Sequence, residues 1–288
     1  MADLPVGIAC AMINWPSLSE MAVYVTATKY LVALWAVISS TEWIAARRVF
    51  ADSGLLCWNI MRLRRGRFYQ TKFAAHIFSA RAVDLVLAFR LFSAVLLFFL
   101  ESAAHVVAAS SLLFCAGVYI SGRASVGGDG SDQMGLLLTL GLVLMAVAQL
   151  IEDAGVMFGA VLLIGGQGVL AYLVSGASKL ISPAWRSGLA IVGVMNTRAY
   201  GHDFAVSLVS RYRTAAIAMC WLIIVTEVFF PVVLFLPSSI LYGALSAAAL
   251  FHISNAYFMG LNTFVPTFLG TYPSLLVLNS VVRESLLL

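Results

Sequence analysis

Charged residues are scarce in this sequence. Asp, Glu, Lys and Arg make up 10% of the 288 residues, whereas hydrophobic residues make up 62%. A soluble domain carries roughly 25% charged residues, so this composition excludes an ordinary water-soluble globular protein. We therefore expect an integral membrane protein.

Metal-binding and disulfide motifs are also missing. The four cysteines, Cys10, Cys57, Cys115 and Cys220, show no CxxC or CxxH spacing, which excludes a locally encoded zinc site or disulfide framework. We interpret them as buried apolar thiols. The four histidines show no HxxxH or HExxH spacing, so we expect no metal.

Nucleotide-binding and targeting motifs are absent as well. The stretch SGRASVGGDGSDQ fits neither GxGxxG before a helix nor a Walker A loop. We interpret it as a turn in which Asp132 is the N-cap of the next helix, with a catalytic role as the alternative. The first twenty residues lack a basic n-region, so we expect no cleaved signal peptide and the first span to serve as the signal.

Long apolar runs are what the sequence has instead. A spanning helix needs about 20 apolar residues, and the fold class is predicted to be all-α, a polytopic transmembrane helical bundle of about eight spans. The last span is interrupted by Pro266, Gly270 and Pro273. The predicted spans lie near residues 21–44, 83–101, 103–121, 133–151, 155–179, 214–236, 239–258 and 264–282.

The basic residues are concentrated in one connection between spans. Eight of the seventeen Lys and Arg residues lie between Arg47 and Arg81. This bias is typical of a cytoplasmic loop that follows the positive-inside rule rather than of a nucleic-acid-binding groove, so no nucleic acid is expected as a partner. The same rule places residues 122–132 and 183–213 on the cytoplasmic side.

Two segments mix apolar residues with Arg, Trp and Tyr, namely residues 45–82 and 183–213. This pattern predicts amphipathic helices that lie in the membrane interface and are too polar to span it. We divide the chain into residues 1–82, an N-terminal span with the basic interfacial loop, and residues 83–288, the main membrane domain. Both parts are expected to form one membrane domain.

Ionisable residues occur inside several predicted spans. Each costs at least about 2.5 to 3.5 kcal/mol on insertion scales and therefore needs an interior partner or a function. Lys29 is interpreted as extending to the interface, and Arg90 as a structural counter-ion. The full set is Lys29, Asp84, Arg90, Glu101, His105, Lys179, Glu227 and His252.

Lys179 lies on a distinctive helix face. Gly168, Tyr172, Ser175, Gly176 and Lys179 follow helical spacing and form one stripe. Its small residues allow a neighbouring helix or a ligand to approach the backbone. Desolvation disfavours an ammonium ion, so a buried lysine without a carboxylate partner tends toward the neutral amine, which can act as a base. The alternative is that the side chain extends to phosphate headgroups.

A second polar pair lies in the stretch FHISNAYFMGLNTF. His252 and Asn255 are three residues apart on an otherwise apolar helix, so they share a face and can meet one ligand. The alternative is an ordinary core histidine.

The segment around Lys179 and the segment around His252 both resemble the membrane domain of the vitamin K-dependent gamma-carboxylase-like family. This domain is also called the horizontally transferred transmembrane domain. The similarity covers roughly residues 80–282, and the segment GSDQMGLLLTL is similar to the corresponding helix of bacterial members. The matching positions are Tyr172, Gly176, Lys179, Leu180, Trp185 and Gly188 in the first stretch, and Phe251, His252 and Asn255 in the second.

The resemblance implies a specific chemistry. In the carboxylases the lysine that matches Lys179 is a neutral amine that deprotonates reduced vitamin K. Oxygen then adds, the quinone becomes an epoxide, and a strong alkoxide base removes a proton from glutamate before carbon dioxide is captured. The resemblance implies a reduced, vitamin K-like quinone as cofactor, Lys179 and His252 as catalytic residues, and Tyr172, Trp185, Asn255 and Asp132 as substrate-binding residues.

The resemblance also implies partners and alternatives. Membrane lipid, a peptide substrate and a partner protein are expected, in a bacterial inner membrane. The carboxylases carry a large extracytoplasmic domain that this sequence, ending at Leu288, does not contain, and Ser178 replaces the first lysine of the animal lysine pair. Glutamate carboxylation is therefore a weaker expectation than proton abstraction. The alternatives are a maturation protein for a secreted toxin peptide, as in short bacterial members, and a transporter or structural membrane partner.

Overall fold

The computed structural model describes residues 15–124 and 128–287. Within these ranges the chain is 82% helical and contains no strand, which confirms the all-α class and is compatible with a helical bundle. The predictions about Cys10 and the signal peptide fall on residues 1–14 and lie outside the described ranges, as does the centre of the Gly-rich turn, residues 125–127.

The helices vary widely in length. In chain order they are α1 Leu18–Ala45, α2 Trp58–Met61, α3 Lys72–Ile77, α4 Ala80–Leu97, α5 Ala103–Arg123, α6 Gly130–Ile151, α7 Ala154–Ile181, α8 Pro183–Arg186, α9 Leu189–Met195, α10 Asp203–Arg211, α11 Arg213–Val228, α12 Ser238–Met259, α13 Phe264–Leu269 and α14 Tyr272–Leu287. Short 3₁₀ helices cover Arg47–Phe50, Arg62–Arg64, Arg67–Gln70 and Phe230–Leu234.

Five helical segments of the described chain are long and apolar enough to cross a membrane. They are α1, α5, α6, α7 and the combined segment Phe264–Leu286, and α10 with α11 would add a sixth as one span bent by 108°. The chain is therefore an integral membrane protein, but the predicted number of eight spans is not confirmed. Of the other predicted spans, α4 carries Arg81, Asp84 and Arg90, and α12 carries His252 and Asn255, which lowers their hydropathy.

The chain divides into two compact units within α7. One contains residues 18–160, and the other contains residues 161–287 with the described residues before Leu18. The sequence-based division was at residue 82. The difference arises because α1 packs against α4 and α6, so the first span and the basic loop belong to one unit with the next three long helices.

The unit of residues 18–160 is a four-helix arrangement. Each of α1, α4, α5 and α6 packs against two of the others, in the cyclic order α1, α4, α5, α6. Close approach of α1 to α6 depends on Gly135, where a Cβ atom would lie 2.0 Å from Cε2 of Trp35. The indole of Trp35 is buried and thus occupies the space that a side chain on α6 would need.

Two cations in this unit are held by backbone carbonyl groups. Lys29 is buried, and its Nζ donates to the carbonyl oxygen of Leu100 at 2.6 Å. The acceptor lies beyond the end of α4, and the prediction that Lys29 extends to the interface stays a prediction. Arg123 is fully buried, and its Nε donates to the carbonyl oxygen of Phe78 at 2.9 Å.

The N-terminus of α6 carries a reciprocal cap. Asp129 is the N-cap, and its side chain accepts from the backbone N–H groups of Ser131 and Asp132. Asp132 occupies the third helical position and accepts from the backbone N–H of Asp129 at 3.3 Å. The prediction of Asp132 as N-cap is therefore wrong by three residues, because two aspartates at this spacing form a capping box and the first of them is the cap.

The described cysteines differ in burial. Cys57 and Cys220 are buried, as predicted, but Cys115 is exposed. Its position on α5 faces away from the neighbouring helices of the unit. An apolar thiol is compatible with a lipid-facing helix surface, since lipid tails are as apolar as a protein core.

The two segments predicted to lie in the interface form short helices. Residues 45–82 contain α2, α3 and three 3₁₀ helices, and residues 183–213 contain α8, α9 and α10. None of these helices alone is long enough to span a bilayer. Their depth and the side of the membrane stay predictions.

The unit of residues 161–287 contains the interrupted helix that the sequence predicts. α13 ends at Leu269 and α14 begins at Tyr272. Pro266 and Pro273 each fall within the first turn of a helix, where a missing N–H group removes no helical hydrogen bond. The predicted interruption near Gly270 is thereby confirmed.

Replacement of Gly135 by alanine tests the packing of α1 against α6. The new Cβ would overlap the buried Trp35 ring, and we expect the free energy of unfolding to fall by about 1–3 kcal/mol, as for other overpacked cores. Thermal unfolding in detergent, followed by tryptophan fluorescence, measures the change. Gly122→Ala is the matched control, because a Cβ there meets no atom within 4 Å. Equal unfolding temperatures for both variants would contradict this account.

Candidate functional site

The predicted stripe on α7 is where other helices approach closely. A Cβ atom at Gly176 would lie 2.6 Å from the backbone nitrogen of Val228 and 2.8 Å from Cβ of Glu227 on α11. At Gly168 it would lie 3.0 Å from Cβ of Thr271. The prediction that small residues let a neighbouring helix approach the α7 backbone is confirmed at Gly176, whereas at Gly168 the neighbour is the Thr271 side chain in the break between α13 and α14.

Lys179 forms an ion pair with Glu227. The Nζ atom lies 2.6 Å from Oε2 of Glu227, and it also donates to the hydroxyl of Ser175 one turn earlier on α7. The side chains of Lys179 and Glu227 are 18% and 8% exposed. The ammonium group further lies 5.1 Å from the centre of the Trp185 ring, close enough for a cation–π contact.

This pair corrects two sequence-based interpretations. Lys179 has a carboxylate partner, so the premise of an unpaired amine does not hold, and its Nζ contacts protein groups rather than extending to headgroups. Glu227 was recognised only as one of several ionisable residues in predicted spans. Its signal was the isolated carboxylate in the apolar stretch CWLIIVTEVFF, but helical periodicity within one segment says nothing about which distant segment packs against it.

His252 belongs to an aromatic cluster. Its Nε2 lies 2.6 Å from the hydroxyl oxygen of Tyr172, and its ring stacks on Phe268 at 4.2 Å between centroids. Tyr172 in turn stacks on Phe230 at 3.8 Å. The Nδ1 atom of His252 is buried and has no hydrogen-bond partner among the described residues, so one side of the imidazole is available for a further polar group.

The polar groups at Lys179 and at His252 are linked by α7. Tyr172 and Lys179 are seven residues apart, which corresponds to two helical turns and about 10.5 Å along the axis. Within the described chain Lys179 contacts Glu227, and His252 contacts Tyr172, but no contact joins Lys179 to His252. A common cavity for both residues stays a prediction.

The remaining predicted site residues fall into different places. Trp185 is half-buried beside Lys179. Asn255 is half-buried on α12, one turn from His252. Asp132 belongs to the other unit, where it serves the capping box of α6.

Gly188, a position of the resemblance, has a backbone role. It adopts φ 81° at the N-terminus of α9, a left-handed conformation that favours glycine. This turn follows directly after α8, which carries Trp185. The glycine thus helps place the indole beside Lys179.

In comparisons with known proteins, no protein family, curated protein or solved structure matches this chain. Among the described residues, no three His, Cys, Asp or Glu side chains are grouped so that they could hold a metal ion.

Replacement of Gly176 by alanine tests the contact that brings the ion pair together. Because the Cβ would overlap the α11 backbone, α7 and α11 must move apart at this point. We expect a loss of about 1–3 kcal/mol in the free energy of unfolding. Thermal unfolding is the measurement, and Gly166→Ala on the same helix, where a Cβ meets no atom within 4 Å, is the control. Wild-type stability of the Gly176 variant would argue against this contact.

A double-mutant cycle tests the ion pair itself. Glu227→Leu leaves the partly buried Lys179 ammonium without its carboxylate, and we expect a loss of about 3 kcal/mol, the lower end for a buried pair with one partner removed. The double variant Lys179→Met with Glu227→Leu removes both charges and should regain most of that stability. The four proteins are compared by chemical unfolding in detergent. Additive effects of the single changes would show that the two side chains do not interact.

Proposed function

We propose that this protein is a membrane enzyme in which the Lys179–Glu227 pair exchanges a proton with a lipid-soluble, weakly acidic substrate. The observation that carries the proposal is an ion pair with a 2.6 Å contact between two otherwise apolar helices. Lys179 lies in the last turn of α7, and Glu227 lies one residue before the end of α11. Ionisable groups within apolar membrane helices are rare, and they are retained mainly at substrate, ion and proton pathways.

The paired arrangement changes how a lysine serves as a base. The pair has two protonation states with no net charge. In one, an ammonium group faces a carboxylate, and in the other, a neutral amine faces a carboxylic acid. Burial raises the free energy of the charged state and so reduces the free-energy difference between the two states. A proton can therefore pass between Nζ and Oε2 over their short contact, and the pair can accept one from a third group. Ser175, which accepts a hydrogen bond from Nζ, orients the amine.

The residues of the site suit a reduced quinone, the cofactor that the resemblance to the carboxylase-like family implies. Lys179 and Glu227 would face its hydroxyl group, and the aromatic cluster of Tyr172, Phe268 and His252 offers stacking surfaces. The buried, unpartnered Nδ1 of His252 is the kind of group that a polar ligand atom satisfies. When bound, such a quinone supplies a weakly acidic hydroxyl and a reservoir of two electrons.

In this proposal Tyr172 orients the His252 ring, and His252 stabilises the substrate anion. The hydrogen bond between the Tyr172 hydroxyl and Nε2 fixes the plane of the imidazole, and stacking on Phe268 holds it from one face. A preorganised imidazole next to a developing anion stabilises charge without the cost of reorganisation. Location in a bacterial inner membrane and modification of a peptide, with glutamate or a toxin precursor as candidates, are further parts of this proposal and rest on the resemblance alone.

A proton-coupled transporter is a second candidate. The break between α13 and α14 lies at residues 270–271, and Thr271 packs against Gly168 of α7. Discontinuous helices beside a membrane-embedded ion pair are typical of transport sites. This candidate predicts substrate flux across a sealed bilayer in place of chemical turnover.

Activity in liposomes tests the leading proposal. The purified protein is reconstituted with a reduced vitamin K-type naphthoquinone under air, and oxidised products are quantified by mass spectrometry against empty liposomes. We expect Lys179→Met and Glu227→Gln to reduce turnover about 100-fold or more, the usual range for loss of general acid–base catalysis. Ser178→Ala, an exposed neighbour on the same helix, should retain activity.

Two outcomes would contradict this assignment. Full turnover by a folded Lys179→Met protein would remove the pair from the reaction. No turnover above empty liposomes, together with a proton-coupled flux that depends on Glu227, would favour the transporter.

A further inference from the structure

The unit of residues 18–160 contains its own polar cavity. It has a volume of about 240 Å³ and lies between the last turn of α5, the first turn of α6, and the facing sides of α1 and α4. The side chains that give the cavity its charge and aromatic character are Trp35, Ser39, Trp43, Arg90, Asp129 and Asp132. None of them belongs to the unit that contains Lys179.

Arg90 is the central charge of this cavity. It is 2% exposed, and its Nη1 donates to the hydroxyl oxygens of Ser39 and Ser40 at 3.2 and 3.1 Å. The guanidinium lies 4.8 Å from the Trp35 ring centre. Its Nε has no hydrogen-bond partner, and no carboxylate lies within 4.0 Å of it, among the residues that the structure describes.

Two carboxylates line the cavity together with Arg90. They belong to Asp129 and Asp132, and Asp132 attracts Arg90 electrostatically. Asp132 also accepts from the Asp129 N–H in the capping box. One guanidinium and two carboxylates therefore line one cavity, and among the described residues no ion pair joins Arg90 to either carboxylate.

A buried guanidinium without a contacting carboxylate is costly, and in Arg90 the buried Nε has lost water without gaining a partner among the described residues. Arginine prefers planar or tetrahedral oxyanions, which it can bind with two parallel N–H groups. A simple anion, however, would also meet the field of Asp132. A molecule that carries one negative oxyanion and one ammonium group matches both walls.

We propose that this cavity binds a zwitterion whose oxyanion contacts Arg90 and whose ammonium group faces Asp132. The volume equals about eight waters at roughly 30 Å³ each, which suits a headgroup or small metabolite and not a whole lipid. Ethanolamine phosphate has this chemistry, both as a free molecule and as the headgroup of phosphatidylethanolamine.

The position of the cavity favours the lipid as source. α5 and α6 are two of the helices that qualify as membrane spans, and the cavity lies where one ends and the next begins. The ends of spanning helices lie at the depth of lipid headgroups. Trp43 and Trp35 on the wall add the aromatic character that is typical of this depth.

Thermal unfolding of the full-length protein tests the site with two probes. Free phosphoethanolamine is titrated onto protein in phosphatidylglycerol nanodiscs, whose headgroup has no ammonium group, and separately the nanodiscs are prepared with added phosphatidylethanolamine. We expect the unfolding temperature to rise with at least one probe, as mass action requires for a ligand of the folded state. A response to the lipid alone identifies the headgroup as ligand, and a response to the free compound identifies a soluble one. Ethanolamine and inorganic phosphate, added singly, should give no comparable shift.

Variants then locate the binding. Arg90→Gln should raise the apparent dissociation constant at least tenfold, whereas Arg81→Gln, an exposed arginine on the same helix, should leave it unchanged. If Arg90→Gln does not fold, the binding test is repeated with Asp132→Asn. Asparagine can still accept a hydrogen bond in the capping box, but it has no charge. An undiminished response in Asp132→Asn, or no response to either probe in the wild type, would overturn the proposal.

Discussion

The Lys179–Glu227 ion pair is the interaction on which the candidate site depends. Two side chains of opposite charge meet between apolar helices, where neither could remain charged alone without a large loss of hydration free energy. Their contact requires α7 and α11 to approach until no side chain fits at Gly176. The ion pair, the short distance between α7 and α11, and the glycine at position 176 therefore depend on one another. The same constraint places Trp185 over the lysine and leaves Tyr172 two turns away to meet His252.

The other buried cations show three further ways to hold a positive charge away from water. Lys29 donates to a backbone carbonyl beyond a helix end. Arg123 does the same, and its guanidinium also lies over the rings of Phe50 and Trp58, at 5.0 and 5.3 Å. Arg90 has serine hydroxyls instead. Of the four, Lys179 alone has a carboxylate within 4.0 Å among the described residues, which is why proton exchange is proposed at that position.

The two compact units thereby separate two kinds of polar chemistry. In the unit of residues 161–287, the Lys179–Glu227 pair and the stacked rings of Tyr172 and His252 lie about two turns of α7 apart, and proton exchange is proposed at the pair. In the unit of residues 18–160, fixed charges of opposite sign line a small cavity at the end of two spans. The first suits transfer of a proton, and the second suits recognition of a charged group that is not itself changed.

The sequence by itself determined the membrane class, the all-α fold, the helix interruption near Gly270 and the stripe of small residues that faces a neighbouring helix. These features follow from composition and from periodicity within one segment, which a bilayer enforces locally because every span must satisfy its own backbone. Only the tertiary structure decided that Glu227 is the partner of Lys179, that Asp132 belongs to a different unit from His252, and that Lys29 is buried. Such pairings join segments tens of residues apart, and they depend on which helices pack together. A periodic pattern within one helix carries no information about the face that another helix will present to it.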